Sequence, residues 1–526
     1  MKTWMKLILP ALLAASCVGT GLDVPGDEVD AEGVQIRHGM IVLGERLEDP
    51  YSVENMSQAL AAVYPTKADR IVLPATHLYV RFLPADEEQL ARLEQLGIPL
   101  LDHPVDYRIL CEGDYYHDPS IEEDRITWQY GVVDKDFVFP AGIRHEILDK
   151  CYIPGVQSAV KSDGVDWQAV EREAFRLTGN ADMITEASGT KAETAVTPKG
   201  RITIVDSVRG GAPEGVRGVR VSCNSFVKFS AAYTDENGYY QMDKGFTSSP
   251  RYRLVFTNTS GFSIGFNLLL LPASVSTLGK QDAAGLDYEV TEDSDRMLFL
   301  RCVVNNAGFD YYHWCEEQTP PVKTPPANLR LWLFSGLAAS SAVMMHQGVL
   351  VDGSKLAQYL GEFSFLLKIF LPDLTLGLKD CRTYADVYAV AVHELAHASH
   401  FMLAGGDFWN RYARFILTSY VTSGFVTYGM GTEEDNGYCE VGEDWACFLQ
   451  TLLYRDRYGE GSRSFGTNHW FHPQVLLLLE QRGLSACKIF QVLDGEVTDK
   501  TLLKKKLSSF YPEFKSEINQ AFARYN

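Results

Sequence analysis

The sequence predicts a multidomain α+β protein, and three observations predict it. A chain of 526 residues is too long for a single hydrophobic core. Its 46% apolar and 22% charged residues have the balance of folded domains, not of disordered chain. The pattern of those residues also changes along the chain, from mixed strand and helix spacing, through short alternating runs, to long helical periodicity. The expected architecture is a small N-terminal α+β module over 36–160, a linker over 161–199, a central β-sandwich over 200–275 and a mostly helical C-terminal domain over 287–526.

Ahead of these, Met1 to Lys6 carries two positive charges, Leu7 to Ala15 is apolar, and Ser16-Cys17 follows small residues. That is the layout of a secretory signal peptide over 1–16. Small residues before a cysteine resemble a bacterial lipobox, which implies cleavage before Cys17 and lipid attachment to its thiol. Residues 17–35, with Asp23, Asp27, Glu28, Asp30 and Glu32 in a Gly-rich setting, read as an acidic tether. Such a tether is similar to the surface-export signals of some Gram-negative lipoproteins, and implies a lipoprotein on the outer-membrane surface that touches the membrane only through its anchor. Beyond the opening run, no stretch stays apolar for the roughly 20 residues a bilayer span needs. With 48 Lys and Arg against 68 Asp and Glu, the net charge of −20 repels phosphate backbones, so no nucleic-acid partner is expected. Ten cysteines without C-x-x-C spacing argue against a disulfide framework and against a cysteine-based zinc site.

In the N-terminal module, His77 to Leu83 (HLYVRFL) alternates like a strand, Asp86 to Leu96 has helical spacing, and Ile98 to Leu101 reads as a second strand. The polar stretch from Thr178 to Gly200 reads as the core of the linker. Short strands then follow (RITIVD, GVRVSC, SAAYT, YRLVF), with a turn at Asp235-Glu236-Asn237-Gly238. Gly218 to Val221 together with Thr234-Asp235 to Tyr240 resembles the carboxypeptidase regulatory-like domain, which implies a spacer or adhesion module without chemistry. Helical spacing resumes at Ser294 to Trp314, and a strand is expected from Leu329 to Phe334. The helices around Val475 to Arg482, Lys488 to Leu493 and Thr501 to Ala523 read as scaffold, with Lys504-Lys505-Lys506 a solvated face.

Thr383 to Ala404 is expected to form a helix of about six turns, started by a Thr383/Asp386 capping box and stopped by Gly405-Gly406. Tyr388, Val392, Leu395 and Met402 would face the core. His393 and His397, four apart, stack on one face of that helix, where a metal ion can take a nitrogen from each. Glu394 projects beside them as a general base toward a water at the metal. By chance H-E-x-x-H arises in roughly one such chain in fifty.

A metzincin-type third histidine is absent, because position 403 is Leu, and His400 lies too close to serve. Downstream, Asn436 to Gln450 reads as an amphipathic helix carrying two carboxylates one turn apart, Glu440 and Glu443. Glu443-Asp444-Trp445-Ala446 resembles the E-x-x-A string of gluzincins, and the gap of 46 residues from His397 is similar to that of the anthrax lethal factor catalytic domain. The resemblance implies a zincin-like catalytic domain in which His393, His397 and Glu443 hold one Zn2+ ion. It further implies a secreted or cell-surface endopeptidase acting on protein, peptide or glycoprotein substrates. Tyr428 and Tyr438 are both candidates for the tyrosine that stabilises the oxyanion. Where the family has a carboxylate one turn after the glutamate, this chain has Cys447, with Glu440 or Asp444 as substitutes. The competing expectation is a surface adhesion or glycan-binding lipoprotein whose zinc site is vestigial.

Overall fold

The computed structural model describes residues 28–29, 35–36 and 40–525, apart from 69–70, 123–124, 156–163, 186–194, 266–274, 362–363, 365–366, 368–370 and 424–427. The expected signal peptide, Cys17 and most of the tether lie outside the described residues. The chain is a mixed α/β multidomain protein with a helical C-terminal region.

In the N-terminal module, helix α1 (Val53–Val63) is capped by Ser52, whose side chain accepts from the Asn55 amide. Strand β1 (His77–Leu83) buries Leu78, Tyr79, Val80 and Phe82, and helix α2 (Glu87–Gln95) follows it. Strands β2 (Gln129–Asp134) and β3 (Arg144–Cys151) pair antiparallel on either side of β1. The strand expected at 98–101 is reduced to one bridge, Leu101 to Tyr130. The linker expected over 161–199 needs correction, because helix α3 (Trp167–Leu177) occupies part of it. Val170, Ala174 and Phe175 fall on one face of α3 and are buried, and Glu171 forms a buried ion pair with Lys228 at 2.9 Å. A helix so anchored belongs to the folded body.

Strands β4 (Lys199–Val205), β5 (Val219–Ser225), β6 (Lys228–Tyr233), β7 (Tyr239–Gln241), β8 (Arg251–Asn258), β9 (Ser263–Ile264), β10 (Val275–Lys280) and β11 (Tyr288–Val290) form two sheets. One has the order β7-β4-β11, with a short strand Pro213–Gly215 also on β4. The other does not end at the expected boundary near 275. After helix α4 (Arg296–Glu317), strands β12 (Arg330–Phe334) and β13 (Ser341–Ala342), helix α5 (Gly353–Leu360) and strand β14 (Leu374–Gly377), the second sheet reads β6-β5-β8-β9-β12-β14-β13, with β10 also on β8. The join is parallel pairing of Ser263 and Ile264 with Arg330 and Leu331.

One hydrophobic core runs from Ile202 through α4 to Phe522, so the central strands are built into the helical domain instead of hanging before it as a jointed spacer. The N-terminal module docks through a second core, in which Leu90, Tyr115 and Ile126 meet Trp332, Phe334, Leu356 and Tyr359. Helices α6 (Tyr384–Ala404), α7 (Gly406–Thr422) and α8 (Asn436–Tyr458) complete the layer that carries the histidines. The helix expected to be one-sided is buried on nearly every face, because α4 and α8 both pack on it. Met402 is its exception and is exposed. Among the described residues, no helix is long and apolar enough to cross a membrane, and all nine cysteines are free thiols.

Candidate metal centre

The start of α6 fixes where its histidines point. Thr383 Oγ1 accepts from the Asp386 amide at 3.2 Å, while Asp386 accepts from the Thr383 amide at 3.1 Å, closing the capping box. With the helix phase set, His393 and His397 face α8, and their Nε2 atoms lie 3.2 Å apart. Glu443 on α8 faces both rings, with Oε2 3.3 Å from His393 Nε2 and Oε1 3.4 Å from His397 Nε2. All three side chains are buried.

Burial alone would raise the Glu443 carboxyl, but His397 and His393 hold it well below the ordinary carboxylate range. At Glu394 the balance is reversed: burial outweighs the pull of His393 and pushes its carboxyl up to about 8, and its Oε2 is buried without a hydrogen bond. His393, Glu443 and Cys447 also offer ligand atoms within 4.8 Å of one another, a buried group that could hold a metal ion.

Two residues that sequence reasoning missed orient this cluster. Gln450 Oε1 lies 3.1 Å from His393 Nδ1, and a carbonyl oxygen can only accept there, so Nδ1 donates to it and Nε2 is the ring nitrogen turned toward His397 and Glu443. Gln450 thereby does what was expected of Glu440 or Asp444. Glu440 faces Lys500 at 3.9 Å instead, and among the described residues neither carboxylate contacts a histidine of the pair. The second is Tyr412 on α7, whose hydroxyl donates to Glu443 Oε1 at 2.6 Å and lies 3.2 Å from His397 Nε2. Its ring reaches that position because residue 442 is glycine: a Cβ there would sit 2.9 Å from Tyr412 Cε2. Glycine inside a helix costs about 1 kcal/mol relative to alanine, and Gly442, next to Glu443, was the signal that something passes close by.

The other expected residues divide. His400 is a buried structural imidazole with Nε2 3.1 Å from the Leu493 carbonyl, and burial drops its pKa to about 3. Tyr428 lines a cleft of about 410 Å³ together with His393, Glu394, Cys447 and Gln450. Its ring meets His469 edge-on at 4.9 Å. Tyr438 does not line this cleft. Its ring packs 5.0 Å from Phe408, under the Arg411 guanidinium. The segment 338–340 before β13 and the loop 463–469 form the cleft walls, and among the described residues none of the N-terminal module reaches it. Compared with known proteins, the chain matches no family model and no curated protein.

Proposed function

We propose that this chain is a zinc-dependent endopeptidase of gluzincin type, exported to the cell envelope and anchored there by lipid on Cys17. One observation carries the reading. A tetrahedral ion bonded at about 2.0–2.1 Å has ligand-to-ligand edges of about 3.3–3.4 Å; the two imidazole Nε2 atoms are 3.2 Å apart, and the Glu443 carboxylate faces both with one oxygen each, Oε2 3.3 Å from His393 Nε2 and Oε1 3.4 Å from His397 Nε2. Two imidazole lone pairs and a carboxylate aimed at one point repel each other unless a cation lies between them. Two imidazoles with one carboxylate suit zinc. Cys447 lies on the other side of the His393 ring, with Sγ 3.9 Å from the nitrogen that donates to Gln450, so the pair with His397 is the better ligand set.

Zinc held there supplies a Lewis acid that polarises a peptide carbonyl and eases ionisation of the attacking water. Glu394 is the general base: it stands next to the ligands, buried, with one carboxylate oxygen free to take a proton. The same carboxyl then returns the proton to the leaving amine. Tyr428, the candidate tyrosine within the cleft, donates its hydroxyl proton toward the developing oxyanion. Tyr412 and Gln450 hold Glu443 and His393 in register.

Glu394→Gln tests this directly. The variant should keep its zinc and lose peptidase activity by about a hundredfold to ten-thousandfold, whereas His393→Ala should weaken zinc binding itself. Cleavage that survives Glu394→Gln would reject the mechanism, and a zinc-loaded parent that cleaves no peptide would favour a vestigial site.

A further inference from the structure

Among the described residues that line the cleft, Arg463 is the one Lys or Arg, and no part of the zinc chemistry uses it. It sits on the loop after α8, and that loop is fixed. The Phe465 amide donates to Thr451 Oγ1 on α8 at 3.0 Å. Gly466, at φ +73°, lies so close over α8 that a Cβ would come within 2.5 Å of Cys447 Sγ. The Arg463 guanidinium stacks 4.8 Å over the Phe465 ring, so the charge is held in place at the cleft wall.

That charge is underused. Its nearest anion is Asp386 Oδ1 at 3.9 Å, and the other Asp386 oxygen is committed to the capping box. Among the described residues the guanidinium makes no hydrogen bond, and its side chain is 64% exposed. A planar fork of donors with no bidentate partner, fixed in a substrate cleft, matches a carboxylate.

Its position along the cleft also follows. Asp386 precedes His393 by seven residues on one helix, about 10 Å along the axis at 1.5 Å per residue. Val390, midway between them, also lines the cleft, so the cleft runs along α6 in this direction. An extended peptide advances about 3.3 Å per residue, which puts Arg463 two or three residues from a scissile bond at the metal.

We infer that Arg463 is a specificity-determining residue that selects peptides with an Asp or Glu side chain two or three residues to one side of the cleaved bond. The inference rests on the peptidase reading, and the test separates the two. The zinc-loaded full chain is given a random peptide library, then a peptide carrying Glu at the preferred position and its Gln twin. The library should show Asp and Glu enriched at that one position. The parent should prefer the Glu peptide over its twin by about fivefold in kcat/KM, as for one exposed ion pair near 1 kcal/mol. Arg463→Ala should bring that ratio close to one, and Arg463→Glu should invert it in favour of a Lys peptide. Binding of the same pair to the Glu394→Gln chain is read in parallel. Cleavage without acidic enrichment, or a ratio unmoved by Arg463→Ala, would overturn the inference and leave the peptidase reading standing. No cleavage, but an Arg463-dependent preference for the Glu peptide in binding, would support the anion site and reject the peptidase reading.

Discussion

Two buried ionic clusters lie on the same pair of helices, and they are built in opposite ways. At the far end of α8, Arg457 reaches Asp206 at 2.9 Å, Glu214 at 2.5 Å and Asp310 at 3.7 Å, while Arg217 pairs with Asp310 at 2.6 Å. Tyr384 and Tyr388 of α6 cover the Arg457 guanidinium, with ring centroids 4.5 and 5.1 Å away. Every charge there meets an opposite charge supplied by the chain. Around His393 the chain supplies a carboxylate, two imidazoles and a second carboxyl in Glu394, and no Lys or Arg among them. The first cluster is complete and ties the central sheets to the helices that carry the histidines and Glu443. The second has no fixed cation: its carboxylate is offset only by imidazoles that can lose their charge, which leaves a group that could hold a metal ion.

The comparison can be broken most sharply at Arg457. Removing it leaves the buried Asp206 without its cation and takes one partner from Glu214 and Asp310, so Arg457→Met should destabilise the domain by about 3 kcal/mol, read from urea unfolding. Glu443→Gln in metal-free protein should cost less, because the imidazoles that compensate the Glu443 carboxylate can give up a proton, as Arg457 cannot, and Gln still accepts from Tyr412. Equal losses from the two substitutions would mean that the clusters are alike.

Metal removal comes next. Zinc at a thousand times its Kd should add about 4 kcal/mol to stability, seen as a raised unfolding midpoint that a chelator abolishes. Glu443→Ala should erase the zinc-dependent part, and Glu440→Ala should leave it. The smallest effect belongs to Gln450. Losing the acceptor that fixes the His393 tautomer should weaken zinc binding by about 10–100-fold, and Gln450→Glu, which keeps an acceptor, should recover most of it. A Gln450→Ala chain that binds zinc like the parent would remove Gln450 from the site.

What was legible in the sequence was local. The α6 caps, its periodicity and the His393-Glu394-His397 spacing all lie within one helix, so neighbouring residues specify them without knowledge of the fold. Glu443 was accessible only through a second motif. Gln450 and Tyr412 were not accessible, because their partners lie 57 and 31 residues away and a lone Gln or Tyr has no spacing signature. The same limit explains the sheet. Short strands such as β9 carry two residues, and nothing in Ser263-Ile264 announces that it will pair with Arg330-Leu331 across a 22-residue helix. Helix α3 was overlooked for a different reason: charged residues interrupt its three buried apolar positions, and its stability comes from α1 and Lys228, which lie elsewhere in the chain.

The central claim is that the cluster of His393, His397 and Glu443 is completed by one zinc ion, and anomalous diffraction at the zinc edge from crystals of the full chain tests it most directly. The account predicts a single peak about 2.0–2.2 Å from Nε2 of both histidines and from the Glu443 carboxylate, with Cys447 outside bonding distance. A peak bonded to Cys447 Sγ, or no peak in zinc-saturated crystals, would contradict it.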